Sequence, residues 1–120
     1  MAAVDACLKL VASGDHVVCG DDVYGGVPRY FDNVLTNYGL EFTYVDTTDP
    51  EAVRSAITPR TRMLWIETPT NPLLKVTDME AMVTIARDHG ILLGVDSTFA
   101  TPVFLRPLEF GADIVMHSTT

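Results

Sequence analysis

Four short stretches of this chain are apolar almost without interruption: HVVCG at 16–20, MLWI at 63–66, ILLGV at 91–95 and DIVMH at 113–117. A strand with one wet face alternates apolar and polar residues, whereas a strand covered on both faces runs apolar throughout. Segments with apolar residues at helical spacing separate these runs. Strands buried on both sides and alternating with helices predict an α/β fold, a mostly parallel sheet with helices on both faces.

The pattern places a helix over 2–12, stopped by Ser13-Gly14-Asp15, and a strand over 16–20. A polar, glycine-containing loop spans 21–26, and a helix over 27–38 carries Pro28 in its first turn. A strand at 42–45 precedes a helix that starts at Thr48-Asp49-Pro50-Glu51 and runs to about 57. After the strand at 63–66, Pro69 and Pro72 bar regular structure from 67–72. Asp78 caps a helix over 78–88, and His89-Gly90 stops it ahead of the strand at 91–95. A long loop with Pro102 and Pro107 covers 96–107, followed by a helical turn near 108–110 and the last strand at 113–117. There are no repeats, low-complexity tracts or linkers. Met1 enters a helix with no capping residue ahead of it, and Thr120 directly follows a strand. The expectation is therefore a piece of a larger domain, marginally stable alone.

Composition narrows the function classes. With 48% hydrophobic and 20% charged residues, a disordered or collagen-like chain is excluded. A net charge of −8 argues against a general nucleic-acid binder, which needs clustered Lys and Arg. No apolar run approaches the ~20 residues of a bilayer span, and no basic leader precedes one. Cys7 and Cys19 lie in apolar surroundings and read as free thiols of a reducing compartment. A soluble, cytoplasmic protein with no membrane partner is expected.

In open parallel sheets, ligands bind beyond the carboxyl ends of the strands. Those ends hold the unusual polar residues: DDVYGG at 21–26, ETPTNP at 67–72, DSTF at 96–99 and HSTT at 117–120. Asp96 could ligate Mg²⁺, accept a phosphoryl group, pair with a protonated ring nitrogen, or simply turn the chain. Tyr24 suits stacking on a planar ligand, and equally a partly buried tyrosine. Asn71 offers an amide from a proline-stiffened loop, or forms an Asx turn. Ser118 and Thr120 suit an anion, or an ordinary loop. Arg29, near a helix start, suits a carboxylate, or solvent. No phosphate-binding P-loop, dinucleotide glycine motif, zinc spacing or G-x-S-x-G elbow is present. A Mg²⁺ or phosphoryl-transfer site on Asp96 would have only Asp21 and Asp22 as acidic company.

Taken in order, DDVYGG, ETPTNPLLKVTD, VDSTFATP and RPLEFGADIVMHSTT resemble the Cys/Met-metabolism family of pyridoxal-phosphate (PLP) enzymes along nearly the whole chain. The family includes cystathionine γ-synthase, γ-lyase and β-lyase, and methionine γ-lyase. The resemblance implies the fold-type-I architecture, with residues 1–120 as the central part of the large PLP-binding domain, truncated at both ends. It implies that Asp96 pairs with the pyridinium nitrogen and that Thr98 supports it. Tyr24 would stack on the ring and transfer protons, while Asn71 would lie near the ring's 3′-oxygen. Ser118 and Thr120 would hold the phosphate, with Met1 as the last residue of a phosphate loop. Arg29 would bind substrate.

Two departures stand out. Ser97 replaces the Asn of the frequent VDNTF. The family's cofactor-anchoring lysine would follow Thr120 at once, and the chain's only lysines, Lys9 and Lys75, do not fit that role. The chain by itself is therefore expected not to turn over. Its parent is expected to be a homotetramer acting on an amino acid, first a cystathionine γ-synthase or γ-lyase. The β-lyase, methionine γ-lyase and O-acetylhomoserine sulfhydrylase activities stay open, as does a non-catalytic fragment.

Overall fold

A computed structural model describes residues 1–119; Thr120, assigned above to a phosphate, lies outside the described residues. In chain order the elements are α1 (Ala2–Leu8), β1 (His16–Gly20), α2 (Gly26–Asn33), a 3₁₀ turn (Leu35–Tyr38), β2 (Glu41–Val45) and α3 (Pro50–Ala56). There follow β3 (Thr61–Glu67), α4 (Met79–His89), β4 (Leu92–Asp96), α5 (Thr101–Phe104), α6 (Pro107–Phe110) and β5 (Ile114–Met116). The five strands form one sheet in the order β2-β1-β3-β4-β5, and every neighbouring pair is parallel. No helix among the described residues is long and apolar enough to cross a membrane.

Both faces of the sheet are covered, which is why the strands read as apolar runs. Val17, Cys19, Met63 and Trp65 pack with Val4 and Leu8 of α1 and Val27 and Phe31 of α2. On the other face Val18, Leu64, Ile66, Leu93 and Val95 pack with Val53 of α3 and Met82, Ile85 and Ala86 of α4. Strand side chains alternate between faces, so the odd-numbered residues of β3 and the even-numbered ones of β4 look toward α1 and α2. Asp78 caps α4 by accepting the Ala81 N–H at 3.0 Å, and Gly90 ends it in a left-handed conformation at φ 62°. At the amino edge His16 is buried between two hydroxyls, with Nδ1 2.7 Å from Thr61 Oγ1 and Nε2 2.9 Å from Thr43 Oγ1. Burial lowers its pKa, which suits a neutral ring shared by three strands. Burial also pushes the thiols of Cys7 and Cys19 up, and both cysteines are free.

The helices differ from the spacing-based expectation in instructive ways. α1 stops at Leu8 rather than at 12, because the N–H groups of Leu10 and Val11 reach carbonyls only three residues back. The Asp15 carboxylate then accepts the Ala12 N–H at 2.8 Å and turns the chain. The helix expected over 27–38 breaks at Val34. Asn33, Thr36 and Asn37 each bond to the carbonyl four residues back, competing with the helical ladder. The loop expected over 96–107 contains α5, with Pro102 inside its first turn, and Pro107 opens α6.

Candidate functional site

The strand order reverses at β1, with β2 on one side and β3 on the other, so a crevice opens between the segments after β1 and β3. A cavity of about 590 Å³ lies there. Its lining includes Met1, Tyr24, Asn71, Asp96, Thr98 and Ser118, brought together from five separate stretches of chain. Arg29 is not part of the lining: its side chain is exposed and its Nε donates to the Gly25 carbonyl at 2.8 Å.

Asp96 closes β4 and is only 5% exposed. Its Oδ1 accepts the Thr98 N–H at 3.0 Å and the Thr98 hydroxyl at 2.5 Å. Thr98 Oγ1 in turn accepts the Ser118 N–H at 2.9 Å, which ties the ends of β4 and β5 together. Neither bond uses Asp96 Oδ2. The Tyr24 ring is half exposed at the cavity and lies against Gly26, where a Cβ would overlap Tyr24 Cε1.

The segment after β3 is fastened from several sides. Asp22 accepts the Thr70 hydroxyl at 2.5 Å and the Leu73 N–H at 3.1 Å. Lys75 meets Asp21 at 3.2 Å and Asp46 at 2.9 Å, and Thr48 together with Lys75 holds the Asp46 carboxyl down to about 2. Lys9 pairs with Asp5 on α1. Neither lysine lines the cavity.

One residue of this site goes beyond the sequence reading. Glu67, assigned there to an irregular loop, is the last residue of β3 and pairs in register with Asp96 of β4. It is 5% exposed, lines the cavity, and accepts the Tyr24 N–H at 2.8 Å. Burial, with Asp96 and Asp22 nearby, pushes its carboxyl up to about 7 against the bond it accepts from Tyr24. Asp96 thus has an acidic neighbour at a strand end besides Asp21 and Asp22. The signal was available, since Glu67 follows MLWI just as Asp96 follows ILLGV. Among the described residues no group of three or more His, Cys, Asp or Glu is arranged to hold a metal.

The sequence signature described as Cys/Met metabolism PLP-dependent enzyme matches residues 1–120. The chain belongs to this family. Relatives in the Cys/Met metabolism family include a cystathionine gamma-lyase of Bacillus subtilis (strain 168), 56% identical over 120 residues, all of this chain and 32% of that protein. A probable cystathionine gamma-synthase of Herpetosiphon aurantiacus is 53% identical over 120 residues, again all of this chain and 38% of that protein. The crystal structure of cystathionine gamma-lyase from Lactobacillus plantarum complexed with L-serine superposes with a TM-score of 0.96 at 49% identity, covering 98% of this chain and 31% of that one. The chain thus spans about a third of the length of the curated relatives it matches. The parallel sheet and these neighbours make the fold that of the fold-type-I PLP enzymes.

The family's cofactor, pyridoxal 5′-phosphate, is a flat ring with a basic nitrogen and a phosphate arm. The cavity suits it chemically: a buried carboxyl whose Oδ2 is not used by Thr98, a half-exposed aromatic face, an amide-bearing residue, and a hydroxyl-bearing segment at 117–119. Gly26 is the residue that leaves the tyrosine its place. Gly26→Ala is expected to leave the melting temperature of the full-length protein within a few degrees, because its backbone is helical and alanine favours helix. The added methyl would push the Tyr24 ring aside and lower turnover roughly 10- to 100-fold, read by steady-state kinetics beside thermal unfolding.

Proposed function

We propose that the full-length protein is a PLP-dependent transsulfuration enzyme, a cystathionine γ-synthase or γ-lyase, making or breaking a Cγ–S bond of a sulfur amino acid. In this reading residues 1–120 form the central part of its cofactor domain, and the working enzyme is a cytoplasmic homotetramer. The observation that carries the proposal is the single cavity into which Asp96, Thr98, Tyr24, Asn71 and Ser118 converge at the carboxyl edge of the sheet.

Bound there, the cofactor supplies an electron sink for negative charge developing at the substrate's Cα. Asp96 would offer Oδ2 to the ring nitrogen and hold it protonated, while Thr98 holds Oδ1 and fixes the carboxylate plane. Tyr24, half exposed at the cavity, would cover one face of the ring, and its hydroxyl would move a proton at the substrate's carbon atoms. Asn71, on the cavity lining, would offer its amide to the ring's oxygen. Met1, Ser118 and Thr120 are assigned to the phosphate, and Arg29, which lies outside the cavity lining, to substrate binding.

The test is direct. The purified full-length protein should show a visible absorbance band that borohydride abolishes, and should convert cystathionine or form it. A well-folded protein that takes up no cofactor when PLP is added would sink the reading.

A further inference from the structure

Between the buried residues Thr70 and Thr77, no residue of the segment after β3 is buried. Leu73 and Leu74 are 67% and 60% exposed, so apolar packing does not hold the chain next to Asn71. Leu74 also sits at φ 57°, a left-handed conformation that costs a bulky side chain energy and persists only where other contacts impose it. Polar bonds therefore fix this stretch, and the two that bracket Asn71 share one acceptor atom. Asp22 Oδ2 takes the Thr70 hydroxyl at 2.5 Å, one residue before Asn71, and the Leu73 N–H at 3.1 Å, two residues after it. Thr70 closes the turn from inside: its hydroxyl oxygen accepts the Lys75 N–H at 2.8 Å, and its carbonyl accepts the Leu74 N–H at 3.1 Å. Asp22 is itself held on both sides. The Asp21 N–H before it donates to the Val45 carbonyl at 2.8 Å, and Val23 after it is buried in the core beneath α1 and α2. Tyr24 is the next residue along.

We infer that Asp22 is a positioning residue: from the loop that carries the Tyr24 ring it holds the turn that carries the Asn71 amide, and so fixes the one relative to the other. The inference deepens the proposed function and rests on it for the catalytic consequence. Asp22 does not line the cavity, so it acts through its two bonds and not by touching what the cavity holds. The ring and the amide follow different strands, β1 and β3, and a misplacement of about 1 Å can slow a reaction that depends on alignment roughly 100-fold. Lys75 ties the same segment, but beyond Asn71 and more weakly. Its ammonium pairs with Asp21 and Asp46, both exposed, and exposed pairs contribute little. Its bond to Thr70 uses the main-chain N–H and survives replacement of the side chain. Because a single oxygen of Asp22 accepts both bonds, an asparagine carbonyl can take them over, whereas alanine loses both.

The test uses the full-length protein and the variants Asp22→Ala, Asp22→Asn, Thr70→Val and Lys75→Met. Hydrogen exchange is followed by mass spectrometry on a peptide covering residues 70–75, with and without added PLP. Loss of both bonds in Asp22→Ala should lower its protection roughly tenfold, while a peptide within β3 keeps its own. Asp22→Asn should stay within about threefold of the wild type, since a neutral acceptor makes the weaker bond, and so should Lys75→Met, within about threefold again. In kinetics, kcat should fall roughly 10- to 100-fold in Asp22→Ala with KM nearly unchanged, and Asp22→Asn should recover most of that loss. Recovery by asparagine separates positioning from a charge acting on the cavity, which the amide would abolish. Thr70→Val removes one of the two bonds and should cause a smaller loss of the same kind; added to Asp22→Ala it should cost less than it does alone. Wild-type protection in Asp22→Ala, an Asp22→Asn enzyme as slow as Asp22→Ala, a larger loss in Lys75→Met, or strictly multiplicative losses in the double variant would overturn the inference. If Asp22→Ala does not fold, the other two decide: wild-type protection in Thr70→Val, or lost protection in Asp22→Asn, overturns it. Exchange is readable without a bound cofactor, so a protein that takes up no PLP refutes the proposed function and leaves this result standing.

Discussion

Asp96→Asn is expected to lower turnover of the full-length enzyme by roughly 10²- to 10³-fold, the size of effect seen when one preorganised electrostatic group is removed from an active site. The reason lies in which oxygen does what. Both hydrogen bonds from Thr98 go to Oδ1, and an asparagine carbonyl oxygen can accept both in the same place. The Ser118 N–H bond to Thr98 also survives, so the ends of β4 and β5 stay joined. What disappears is the negative charge on the other oxygen, the atom assigned to hold a ring nitrogen in its protonated form. An amide cannot do that, and the electron sink weakens.

The same substitution carries a second expectation that a damaged fold would not reproduce. Glu67 is raised to about 7 from an ordinary 4.5 by burial first, and then by Asp96 and Asp22. For an acid whose folded pKa is raised, the stability it contributes is complete below the unfolded pKa and is lost as pH rises through the folded one. The window here runs from 4.5 to about 7. Removing the Asp96 charge removes part of the cause, so Asp96→Asn should lose less stability across that window than the wild type does. Thermal unfolding at several pH values, beside kcat, reads both effects. Near-normal turnover would refute the role of Asp96, and a variant that loses stability more steeply toward pH 7 would refute the charge pairing with Glu67.

The sheet was legible because burial on both faces leaves a plain mark: continuous apolar runs at β1, β3 and β4. The ends of the helices were not, because side chains decide them. Asn33, Thr36 and Asn37 divert helical carbonyls, an effect that apolar spacing does not report. Prolines misled in the other direction. Pro102 and Pro107 read as loop residues, yet both sit in a first helical turn, where a missing N–H costs nothing. The site followed the same division. Its location at the carboxyl edge comes from parallel topology, and the motif order marks its segments. Glu67 escaped because two prolines downstream drew the strand end one residue too early, which turned a buried, registered carboxyl into a loop residue. Arg29 shows the converse, since proximity in sequence to Tyr24 does not bring its side chain into the cavity lining.

Trp65 and Gly94 lie one pleat below the two strand-end carboxyls of this site, and replacing either should cost more stability than changing the residues above it. They are register partners on β3 and β4, one step of the ladder's alternation before Glu67 and Asp96, on the same face of the sheet. Trp65 is wholly buried, and its ring occupies the space where Gly94 has no side chain. A Cβ at Gly94 would stand 2.7 Å from Trp65 Cε3 and 3.0 Å from Cζ3. The ring is packed among Met63, Val17 and the residues of α1 and α2, so it cannot swing clear. Gly94→Ala is therefore expected to cost roughly 1–3 kcal/mol by overpacking, and Trp65→Ala roughly 3–5 kcal/mol by opening a cavity. The two costs have one origin, so they should not add. In a Trp65→Leu background the shorter side chain leaves room for the new methyl, and Gly94→Ala should then be nearly free, a coupling of about 1–2 kcal/mol. Chemical denaturation of the full-length single and double variants measures it, and strictly additive penalties would contradict the packing described. Turnover supplies the link to function. Wedging the strands apart at Trp65 and Gly94 displaces Glu67 and Asp96 directly above, so Gly94→Ala should slow the enzyme even where it remains folded, while the double variant recovers both stability and rate.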